Sequence, residues 1–473
     1  MKKTGAVIFI IACLVVCLIP SVGMFFKPNA EAIGNEESSA LPSITNEDGS
    51  FNTNILSDLG NYFEQHFAFR SEIITADAEI QSKVFGVSNL DSVIAGKDGW
   101  LYYASTLDDY MGQNALSEQQ IEGIVHNLTL VQQRVEEHDA EFLFTVAPNK
   151  NTLYPEHMPN YYHADKSAER NRDLLNAALA HSSVEYCNLF PVFEKQDETL
   201  YFSRDSHWNN KGALLAYNTI LSKLGKSHDD FSSTAPSQRE DFVGDLNKMI
   251  YPSSSVAELN YYYDAEGTYR YATDTSSVEE PLIRTNNDNA QGTLFMYRDS
   301  FGNALLPFFA SAFGDAVFSK SFPIMLDFAL EQYQPNDVVF EIAERNIEWF
   351  LTQPPLMRAP IIEAQQIDLS TDTSFELSVK ESENSPLYLE VSGLMNDELA
   401  KSSSPVYLFV SDSEDSGTLY ECYNLLTEQR QDAFLAYLDA SDYEGLSTLS
   451  VSVVVRDGAG FKAIGSNTVN IER

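Results

Sequence analysis

Asp205 and His207, an aspartate and a histidine two residues apart, are the residue types in this chain best suited to catalysis. In an extended segment, side chains at i and i+2 point to the same side, so both can project into one pocket. Such a pair needs only one serine from elsewhere in the chain to complete a hydrolase-type triad. The chemistry that this combination would support is nucleophilic acyl transfer.

Ser300 is the serine whose surroundings best suit a nucleophile. An apolar run from Thr293 to Tyr297 ends abruptly before it, and an apolar, helix-like run from Asn303 to Phe313 follows. The pattern predicts a strand, a sharp turn and a helix. This arrangement exposes the serine at the carboxyl edge of a sheet and lets its backbone N–H stabilise an oxyanion. In this hypothesis Asp205 orients His207, and His207 takes the proton of Ser300.

Two alternatives for the Asp205 and His207 segment stay open at this point. Asp205 can instead close an Asx-type turn that leaves a partly buried His207 ahead of a helix. A metal site is the weaker alternative, because no further His or Cys ligand stands nearby at a recognisable spacing. We therefore expect neither a metal nor an organic cofactor.

Five further residues are candidates for substrate or oxyanion contacts because they adjoin the motif or follow predicted strands. Lys150 and Arg345 could orient an anionic or hydroxylated substrate, and Asn346 could donate a hydrogen bond to the oxyanion. Surface cations and a turn asparagine are the alternatives. Trp208 and Asn209 could line the pocket, although a tryptophan there can equally anchor the core and an asparagine can cap the next helix.

Strands and helices alternate through the centre of the chain, which predicts an α/β fold with a parallel sheet covered on both faces. Ser117 and Gln120 match a capping box at the start of a helix to His138. The other central helices are predicted at Ala168–His181 and Lys211–Leu224, and the strands at Glu141–Ala147, Val184–Phe190, Thr293–Tyr297 and Asp337–Ala343. Motif residues follow several of these strands, and ligand sites of open α/β sheets lie at those carboxyl ends.

Changes in composition divide the 473 residues into four predicted regions. Residues 1–27 form a membrane anchor, and residues 28–90 form a spacer followed by one or two amphipathic helices. Residues 91–360 form the α/β domain, which carries a polar insertion at 228–292 beside the site. Residues 361–473 contain short alternating apolar stretches, which predict a β-sandwich.

The amino-terminal segment predicts a single membrane crossing. Lys2 and Lys3 precede an uncharged, mostly apolar stretch from Thr4 to Phe26, long enough as a helix to cross a bilayer. The positive charge ahead of this stretch keeps the amino terminus inside and places the remainder outside the cell. Ala30-Glu31-Ala32 could serve as a signal-peptidase site, so a secreted protein with a removed signal peptide is the alternative.

The net charge and the number of cysteines disfavour some classes of partner and some kinds of cysteine site. With 30 basic and 69 acidic side chains, the formal net charge is −39, which disfavours nucleic acid as the main partner. Cys13 and Cys17 lie in the membrane segment. Only Cys187 and Cys422 remain outside it, so neither a disulfide framework nor a zinc site is predicted.

An ordered set of short motifs resembles the SGNH-hydrolase-like proteins of the alginate acetylation machinery, the AlgX/AlgJ-like family, and their DHHW relatives in Gram-positive bacteria. The motifs run in family order from about residue 48 to residue 350. They are Asp48-Gly49-Ser50, Phe67-Ala68-Phe69-Arg70, Gly96-Lys97-Asp98-Gly99-Trp100-Leu101, Pro148-Asn149-Lys150 with Tyr154-Pro155, Asp205-Ser206-His207-Trp208-Asn209, Gly244-Asp245-Leu246, Asp299-Ser300-Phe301 and Glu344-Arg345-Asn346.

The resemblance implies a flavodoxin-like SGNH-hydrolase-like fold in which the Asp-x-His element precedes the serine. It also implies acetyl transfer to an extracellular polysaccharide, with an MBOAT-type membrane acyltransferase as the source of acetyl groups. By this analogy Ser300 is the nucleophile, His207 the general base and Asp205 its orienting carboxylate. The name-giving Asp-His-His-Trp reads Asp-Ser-His-Trp here, which keeps both triad residues.

Three functions compete on this basis. The leading hypothesis is a membrane-anchored serine O-acetyltransferase that passes through an acetyl-Ser300 intermediate. A secreted carbohydrate acetylesterase would use the same triad with water as the acceptor, and a non-catalytic polysaccharide-binding scaffold would use only the cleft and the β-sandwich. The β-sandwich resembles the carbohydrate-binding module of the family in position and β character, and nothing in the sequence identifies the polymer.

Overall fold

The computed structural model describes residues 2–26, 39–46, 48–162, 170–396, 399–400, 404–413 and 416–472. The α-helices in these ranges are α1 (Lys2–Gly23), α2 (Ile55–His66), α3 (Arg70–Ile80), α4 (Leu107–Met111), α5 (Glu118–Glu136), α6 (Lys150–Leu153), α7 (Asn171–Leu179), α8 (Phe190–Phe193), α9 (Asn210–Lys223), α10 (Asp245–Ile250), α11 (Leu306–Ala312), α12 (Leu326–Tyr333) and α13 (Trp349–Thr352).

The strands of the first three quarters of the chain are β1 (Val93–Ala95), β2 (Leu101–Tyr103), β3 (Glu141–Ala147), β4 (Tyr186–Cys187), β5 (Ser237–Phe242), β6 (Glu258–Tyr262), β7 (Arg270–Tyr271), β8 (Leu282–Asn286), β9 (Thr293–Tyr297), β10 (Asp315–Ser319) and β11 (Asp337–Ala343). The remaining strands are β12 (Ile367–Asp368), β13 (Leu377–Glu381), β14 (Tyr388–Leu394), β15 (Tyr407–Ser413), β16 (Ser416–Glu421), β17 (Tyr423–Leu426), β18 (Asp432–Asp439), β19 (Thr448–Asp457) and β20 (Gly460–Glu472).

A seven-stranded sheet in the order β4-β3-β11-β9-β10-β8-β7 forms the centre of the α/β region. The five strands from β4 to β10 are parallel, whereas β8 and β7 add antiparallel pairs at one edge. The α/β fold class is therefore confirmed, with the correction that the sheet is mixed. Both antiparallel edge strands lie within the polar insertion at 228–292, which the sequence pattern left without strands.

Side chains of alternate residues enter separate cores on the two faces of the sheet. In β9, Phe295 and Tyr297 pack into the core that α5, α7 and α12 cover, whereas Leu294 and Met296 pack into the core that α9 and α11 cover. The sheet is buried on both faces, which explains why its strands read as continuous apolar runs in the sequence.

Local sequence patterns predicted the start of helix α5 correctly but the end of one strand incorrectly. The capping box is confirmed, since the Ser117 hydroxyl accepts from the Gln120 N–H at 3.2 Å and the Gln120 side chain accepts from the Ser117 N–H at 3.0 Å. The predicted strand Val184–Phe190 is shorter, because pairing is limited to β4 and Phe190 already begins helix α8.

The carboxyl-terminal region is strand-rich, as predicted, and consists of one nine-stranded sheet that curls over itself. The 13-residue strand β20 pairs with β19 along residues 460–470 and with β13 at Ile471 and Glu472, so it joins the two parts of the sheet. Apolar residues from both halves, such as Val391 and Val453, enclose a common core. The predicted domain limits themselves stay predictions.

A polar joint connects this β-region to helix α5. The Asn127 amide nitrogen donates to the carbonyls of Phe350 at 2.7 Å and Asn424 at 2.8 Å, and its oxygen accepts the Asn424 N–H at 2.8 Å. Because Asn127 is fully buried, these bonds tie three elements together at one point.

The segment Thr4–Gly23 is a 20-residue apolar helix with a mean hydropathy of 2.8, long enough to span a bilayer. By length and composition it fits an anchor or a signal sequence equally. The possible cleavage site Ala30-Glu31-Ala32 lies outside the described residues. The one or two amphipathic helices predicted after it are α2 and α3.

Candidate active site

Three parallel strands bring the predicted site residues to one edge of the central sheet. Strands β3, β9 and β11 end at Ala147, Tyr297 and Ala343, and the motif residues follow each of these ends. The carboxyl edge of an open α/β sheet is where its turns create a ligand crevice. Asp205 and His207 reach the same edge from the irregular segment that precedes α9.

Ser300, His207 and Asp205 form a continuous hydrogen-bonded row. His207 Nε2 lies 2.8 Å from Ser300 Oγ, and His207 Nδ1 lies 2.7 Å from Asp205 Oδ1. The carboxylate can accept only, so Nδ1 carries a proton and Nε2 is the acceptor facing the serine. This is the geometry of a nucleophile, a general base and an orienting carboxylate.

Asp205 is held in place by two further hydrogen bonds. Oδ1 also accepts the backbone N–H of His207 at 2.9 Å, and Oδ2 accepts the backbone N–H of Asp245 at 2.7 Å. The first of these bonds is the Asx-type turn raised from the sequence. The turn and the triad are therefore compatible, since one carboxylate oxygen serves both.

The charges around His207 set the pH range in which it can act as a base. Burial favours the neutral imidazole, but the charge of Asp205, the hydrogen bond to it and the charge of Asp245 outweigh burial and raise the pKa of His207. Burial also opposes ionisation of Asp205, yet His207 and the backbone donors hold the pKa of Asp205 below its ordinary value. The aspartate is thus ionised wherever the histidine titrates.

The turn that carries Ser300 is relaxed and tied to the neighbouring strand. Ser300 has φ −69° and ψ −23°, an ordinary helical conformation, immediately before a short 3₁₀ segment. The Asp299 carboxylate accepts the N–H of Phe301 at 2.9 Å, the N–H of Ala343 at 2.7 Å and the Asn346 amide at 3.0 Å. Asp299 therefore fixes the spacing between the serine turn and the end of β11.

Arg298 holds the other side of the turn. Its guanidinium is fully buried and donates to the Val278 carbonyl at 2.9 Å and to the Asn303 side chain. Burial lowers the pKa of Arg298 to about 10, against the opposing charge of Glu341. Arg298 and Asp299 thus both hold the serine turn in place by pairing with neighbouring residues.

Lys150 braces the segment that carries Asp205 and does not face the pocket. Its buried Nζ lies 3.0 Å from the Phe202 carbonyl, 3.1 Å from the Ser203 carbonyl and 2.5 Å from the Asp205 carbonyl. Burial lowers its pKa to about 8 even though the charge of Asp205 raises it. Because carbonyls take all three donors, the structure corrects the expectation of a substrate contact.

Glu258 braces the same segment from the opposite direction. One of its carboxylate oxygens accepts the N–H of Ser203 at 2.6 Å and the Ser203 hydroxyl at 2.7 Å, and the other accepts the N–H of Arg204 at 3.0 Å. Glu258 lies in β6, within the predicted insertion. The insertion thus supports the site, as its predicted position beside it suggested.

Trp208 and Asn209 occupy supporting positions as well. Trp208 is 1% exposed, stacks on Phe193 and donates its indole N–H to the Phe301 carbonyl at 3.2 Å. Asn209 caps α9, because its side-chain oxygen accepts the N–H groups of Lys211 and Gly212. Both residues follow the structural alternatives stated for them, and neither lines the pocket at Ser300.

Arg345 and Asn346 do lie at the pocket beside Ser300, which has a volume of about 480 Å³. Arg345 extends across the rings of Tyr103 and Phe301, with its guanidinium carbon 5.6 and 5.8 Å from their centroids. The other lining residues combine aromatic and polar side chains: Ser105, Tyr297, Arg298, Asp299, Lys320, Phe322 and Trp349. A cation above aromatic surface suits a polar, ring-containing ligand.

Asp205, His207 and Asp245 also form a group of potential metal ligands, with one ligand atom from each within 4.8 Å of the others. The hydrogen bonds described above already use the near atoms of this group: His207 Nδ1 donates to Asp205, and both Asp205 oxygens accept protein donors. The residues therefore fit a hydrogen-bonded triad better than a metal site.

Sequence reasoning missed several members of the site. Asp245 was part of a noted Gly-Asp-Leu motif without an assigned role, and Glu258, Tyr103 and Trp349 were given no role in the site. Gly244 offers the clearest signal after the fact. A Cβ there would lie 2.2 Å from the Arg204 carbonyl oxygen, so only glycine lets α10 approach the Asp205 segment this closely.

Comparison with known proteins matches a part of the chain that includes Asp205, His207 and Asp245 and ends before Ser300. Residues 93–295 match a family model described as the SGNH hydrolase-like domain of the acetyltransferase AlgX. A probable alginate O-acetylase AlgJ of Pseudomonas syringae pv. tomato is 25% identical over 190 residues, which cover 37% of this chain and 46% of that protein. The matched part of this chain thus spans less than half of the relative.

Solved structures that the comparison finds include Bacillus cereus PatB1, with a TM-score of 0.44, 19% identity and coverage of 55% of this chain and 97% of PatB1. A DHHW family protein from Eubacterium siraeum has a TM-score of 0.41, 17% identity and coverage of 55% of this chain and 93% of that chain. The domain match and the sequence relative both show similarity to the AlgX/AlgJ-like proteins.

Proposed function

We propose that this chain, which carries an SGNH hydrolase-like domain of the AlgX/AlgJ-like family, is a serine O-acetyltransferase that modifies a polysaccharide outside the cytoplasmic membrane. The observation that carries the proposal is the hydrogen-bonded row of Ser300, His207 and Asp205, with 2.8 and 2.7 Å between the facing atoms. The family match supports acetyl as the transferred group.

In the first half-reaction, Ser300 Oγ attacks the carbonyl carbon of an acetyl ester while His207 Nε2 accepts the hydroxyl proton. The protonated His207 then donates this proton to the leaving oxygen of the donor, and acetyl-Ser300 remains. Asp205 keeps the imidazole in the productive tautomer and stabilises its charged form. Among the described residues, the backbone N–H of Ser300 has no acceptor, so it is available to the oxyanion.

In the second half-reaction, a sugar hydroxyl takes the position that the donor oxygen vacated. His207 removes its proton, the hydroxyl oxygen attacks acetyl-Ser300, and the proton returns to Ser300 Oγ when the acyl–enzyme bond breaks. Arg345 and the aromatic side chains of Tyr103, Phe322 and Trp349 line the space from which the acceptor would approach. Aromatic faces pack well against the C–H faces of sugar rings, and the guanidinium can bind hydroxyl or carboxylate oxygens.

The proposal places the folded region outside the cell, tethered by the apolar helix Thr4–Gly23. An extracellular acetyltransferase needs a supply of acetyl groups from the membrane, so we propose an MBOAT-type acyltransferase as the donor partner. Sugar binding by the carboxyl-terminal β-region stays a prediction.

The deciding experiment uses the full-length protein in detergent micelles with a chromogenic acetyl ester and a sugar oligomer, and analyses protein and sugar by mass spectrometry. Acetyl-Ser300 together with acetylated sugar would support the transferase. Acetate release without acetylated sugar would instead identify an acetylesterase that uses the same triad.

Two variants serve as controls. Ser300→Ala should give neither adduct nor product, and His207→Gln should reduce adduct formation because the general base is missing. If the wild-type protein forms no adduct and shows no turnover with the acetyl ester, both enzymatic functions fail and a polysaccharide-binding scaffold becomes the better explanation.

A further inference from the structure

Asp245 makes an unusually complete set of contacts with the segment that carries the general base. Its backbone N–H donates to Asp205 Oδ2 at 2.7 Å. Its Oδ1 accepts the N–H of Ser206 at 2.8 Å, and its Oδ2 accepts the Ser206 hydroxyl at 2.6 Å. Asp245 therefore binds the Asp205 carboxylate, the Ser206 N–H and the Ser206 hydroxyl.

The direction of these hydrogen bonds matters for the proton on His207. The Ser206 hydroxyl has one proton, and it donates this proton to the Asp245 carboxylate, which can only accept. The lone pairs of Ser206 Oγ are then directed towards His207 Nδ1, which lies 3.1 Å away. Within the described part of the chain, the Nδ1–H thus meets two acceptors, Asp205 Oδ1 and Ser206 Oγ, and no donor.

We propose that Asp245 is a positioning residue for His207: by keeping the Ser206 hydroxyl pointed away from Nδ1, its carboxylate maintains the tautomer whose Nε2 accepts the proton of Ser300. The inference rests on the proposed function of this site. Asp245 acts through Ser206 and Asp205, and its nearest carboxylate oxygen lies 3.7 Å from His207 Nδ1.

Among the described residues, three charged groups act on His207 from the elements around it. Asp205 lies on its own segment, Asp245 on α10 and Arg345 after β11, and the two carboxylates raise the pKa of His207 whereas Arg345 lowers it. Loss of the Asp245 charge should therefore lower the pKa of His207. The direct hydrogen bond to Asp205 would remain the larger influence.

Asp245→Asn distinguishes the proposal from a purely structural role. The asparagine can keep the Oδ1 contacts, but its nitrogen would donate to Ser206 Oγ, so the hydroxyl proton would be free to turn towards His207 Nδ1. This change favours the unproductive tautomer with the proton on Nε2. In the full-length protein, we expect labelling of Ser300 by phenylmethylsulfonyl fluoride to slow about 10–100-fold, part of the roughly 10²–10⁴-fold that a general base typically contributes.

A second substitution tests the proposed cause. Ser206→Ala in the Asp245→Asn background removes the misdirected hydroxyl, so the double variant should label faster than Asp245→Asn alone. Asp274→Asn, which changes an exposed carboxylate of the same insertion, should label at the wild-type rate. Two results would overturn the proposal: labelling of Asp245→Asn at the wild-type rate, or a double variant that is labelled no faster than Asp245→Asn.

A direct measurement separates this inference from the proposed function. NMR titration of the His207 ring reports its tautomer and its pKa whether or not the protein transfers acetyl groups, with a His207→Gln variant to assign the signals. A lower pKa and more Nε2-protonated imidazole in Asp245→Asn support the role of Asp245. An unchanged pKa and tautomer of His207 in Asp245→Asn refute that role. A wild-type protein whose Ser300 does not react refutes only the proposed function.

Discussion

Replacement of Lys150 by methionine tests whether a buried ammonium group maintains the geometry of the Asp205 segment. Methionine fills the space of the lysine stem but has no hydrogen-bond donors. The substitution removes the donors to the carbonyls of Phe202, Ser203 and Asp205. The Ser203 carbonyl keeps the N–H of Leu101 at 2.8 Å, whereas the other two have no further donor among the described residues.

Two opposing effects determine the change in stability. Each of the two orphaned carbonyls costs about 1–3 kcal/mol, so the loss is about 2–6 kcal/mol. Removal of the ammonium group offsets part of this loss, because the folded protein no longer buries a charge. The penalty for that charge is seen in the pKa of Lys150, which burial lowers from 10.5 to about 8. At about 1.4 kcal/mol for each pKa unit, the relief is about 3 kcal/mol. We expect the free energy of unfolding at pH 7 to change by at most about 3 kcal/mol.

The pH dependence of the stability difference is the sharper test. The folded-state pKa of Lys150 lies below its unfolded value, so between about pH 8 and 10.5 the unfolded chain holds a proton that the folded chain has released. The wild-type protein therefore gains stability with rising pH through this window, and the methionine variant lacks this contribution. Between pH 7.5 and 10, the free energy of unfolding of the wild-type protein should rise by about 2–3 kcal/mol relative to that of Lys150→Met.

Urea denaturation of both proteins at each pH measures this difference, and the initial rate with a chromogenic acetyl ester measures the site. We expect the rate of Lys150→Met to fall at least about tenfold at pH 7, since the Asp205 carbonyl loses its donor and a small displacement of the Asp205 segment misplaces His207. Lys248→Met, a substitution on the surface of α10, provides a matched control. A methionine variant with full activity and no pH-dependent difference would refute the bracing role.

Three further predictions concern other parts of the site and the core. The rate of ester cleavage should rise with pH through a midpoint above about 6.5, because His207 must lose its proton to act as a base and its pKa is raised; a midpoint below 6 would contradict this. Gly244→Ala should destabilise the protein by about 1–3 kcal/mol and reduce activity, since the new Cβ would lie 2.2 Å from the Arg204 carbonyl oxygen; wild-type unfolding and turnover would contradict the close approach. Cys187 and Cys422 should resist alkylation at pH 8 until the protein is unfolded, because burial raises the pKa of both thiols, that of Cys187 to about 12; mass spectrometry of the folded protein would detect any reaction.

The strands and the triad could be predicted because their signals are local. β9 and β11 coincide with the predicted ranges, since buried parallel strands read as uninterrupted apolar runs. Asp205 and His207 share a side because of their spacing, and Ser300 stands out because a strand ends just before it. Their mutual contact spans 93 residues of chain, so only the fold could demonstrate it.

The supporting residues could not be predicted because their roles depend on side-chain direction. Lys150 does follow a strand, as expected, but α6 begins there and its ammonium group points to the Asp205 segment. Arg345 follows β11 in the same way and yet lines the pocket. The two positions look alike in the sequence, and only the packing around each strand end distinguishes them.

The segment around Asp205 shows why the site needs contacts from so many parts of the chain. Residues 202–207 belong to neither a helix nor a strand, and among the described residues the segment contains one internal backbone hydrogen bond, from the Phe202 N–H to the His207 carbonyl at 3.3 Å. Lys150 satisfies its carbonyls from one side, while Glu258 and Asp245 satisfy its N–H groups from the insertion. Since each partner is at least 39 residues away, the position of the general base depends on the folding of the whole region. The insertion is therefore a structural component of the candidate active site, which its polar and irregular sequence alone would not suggest.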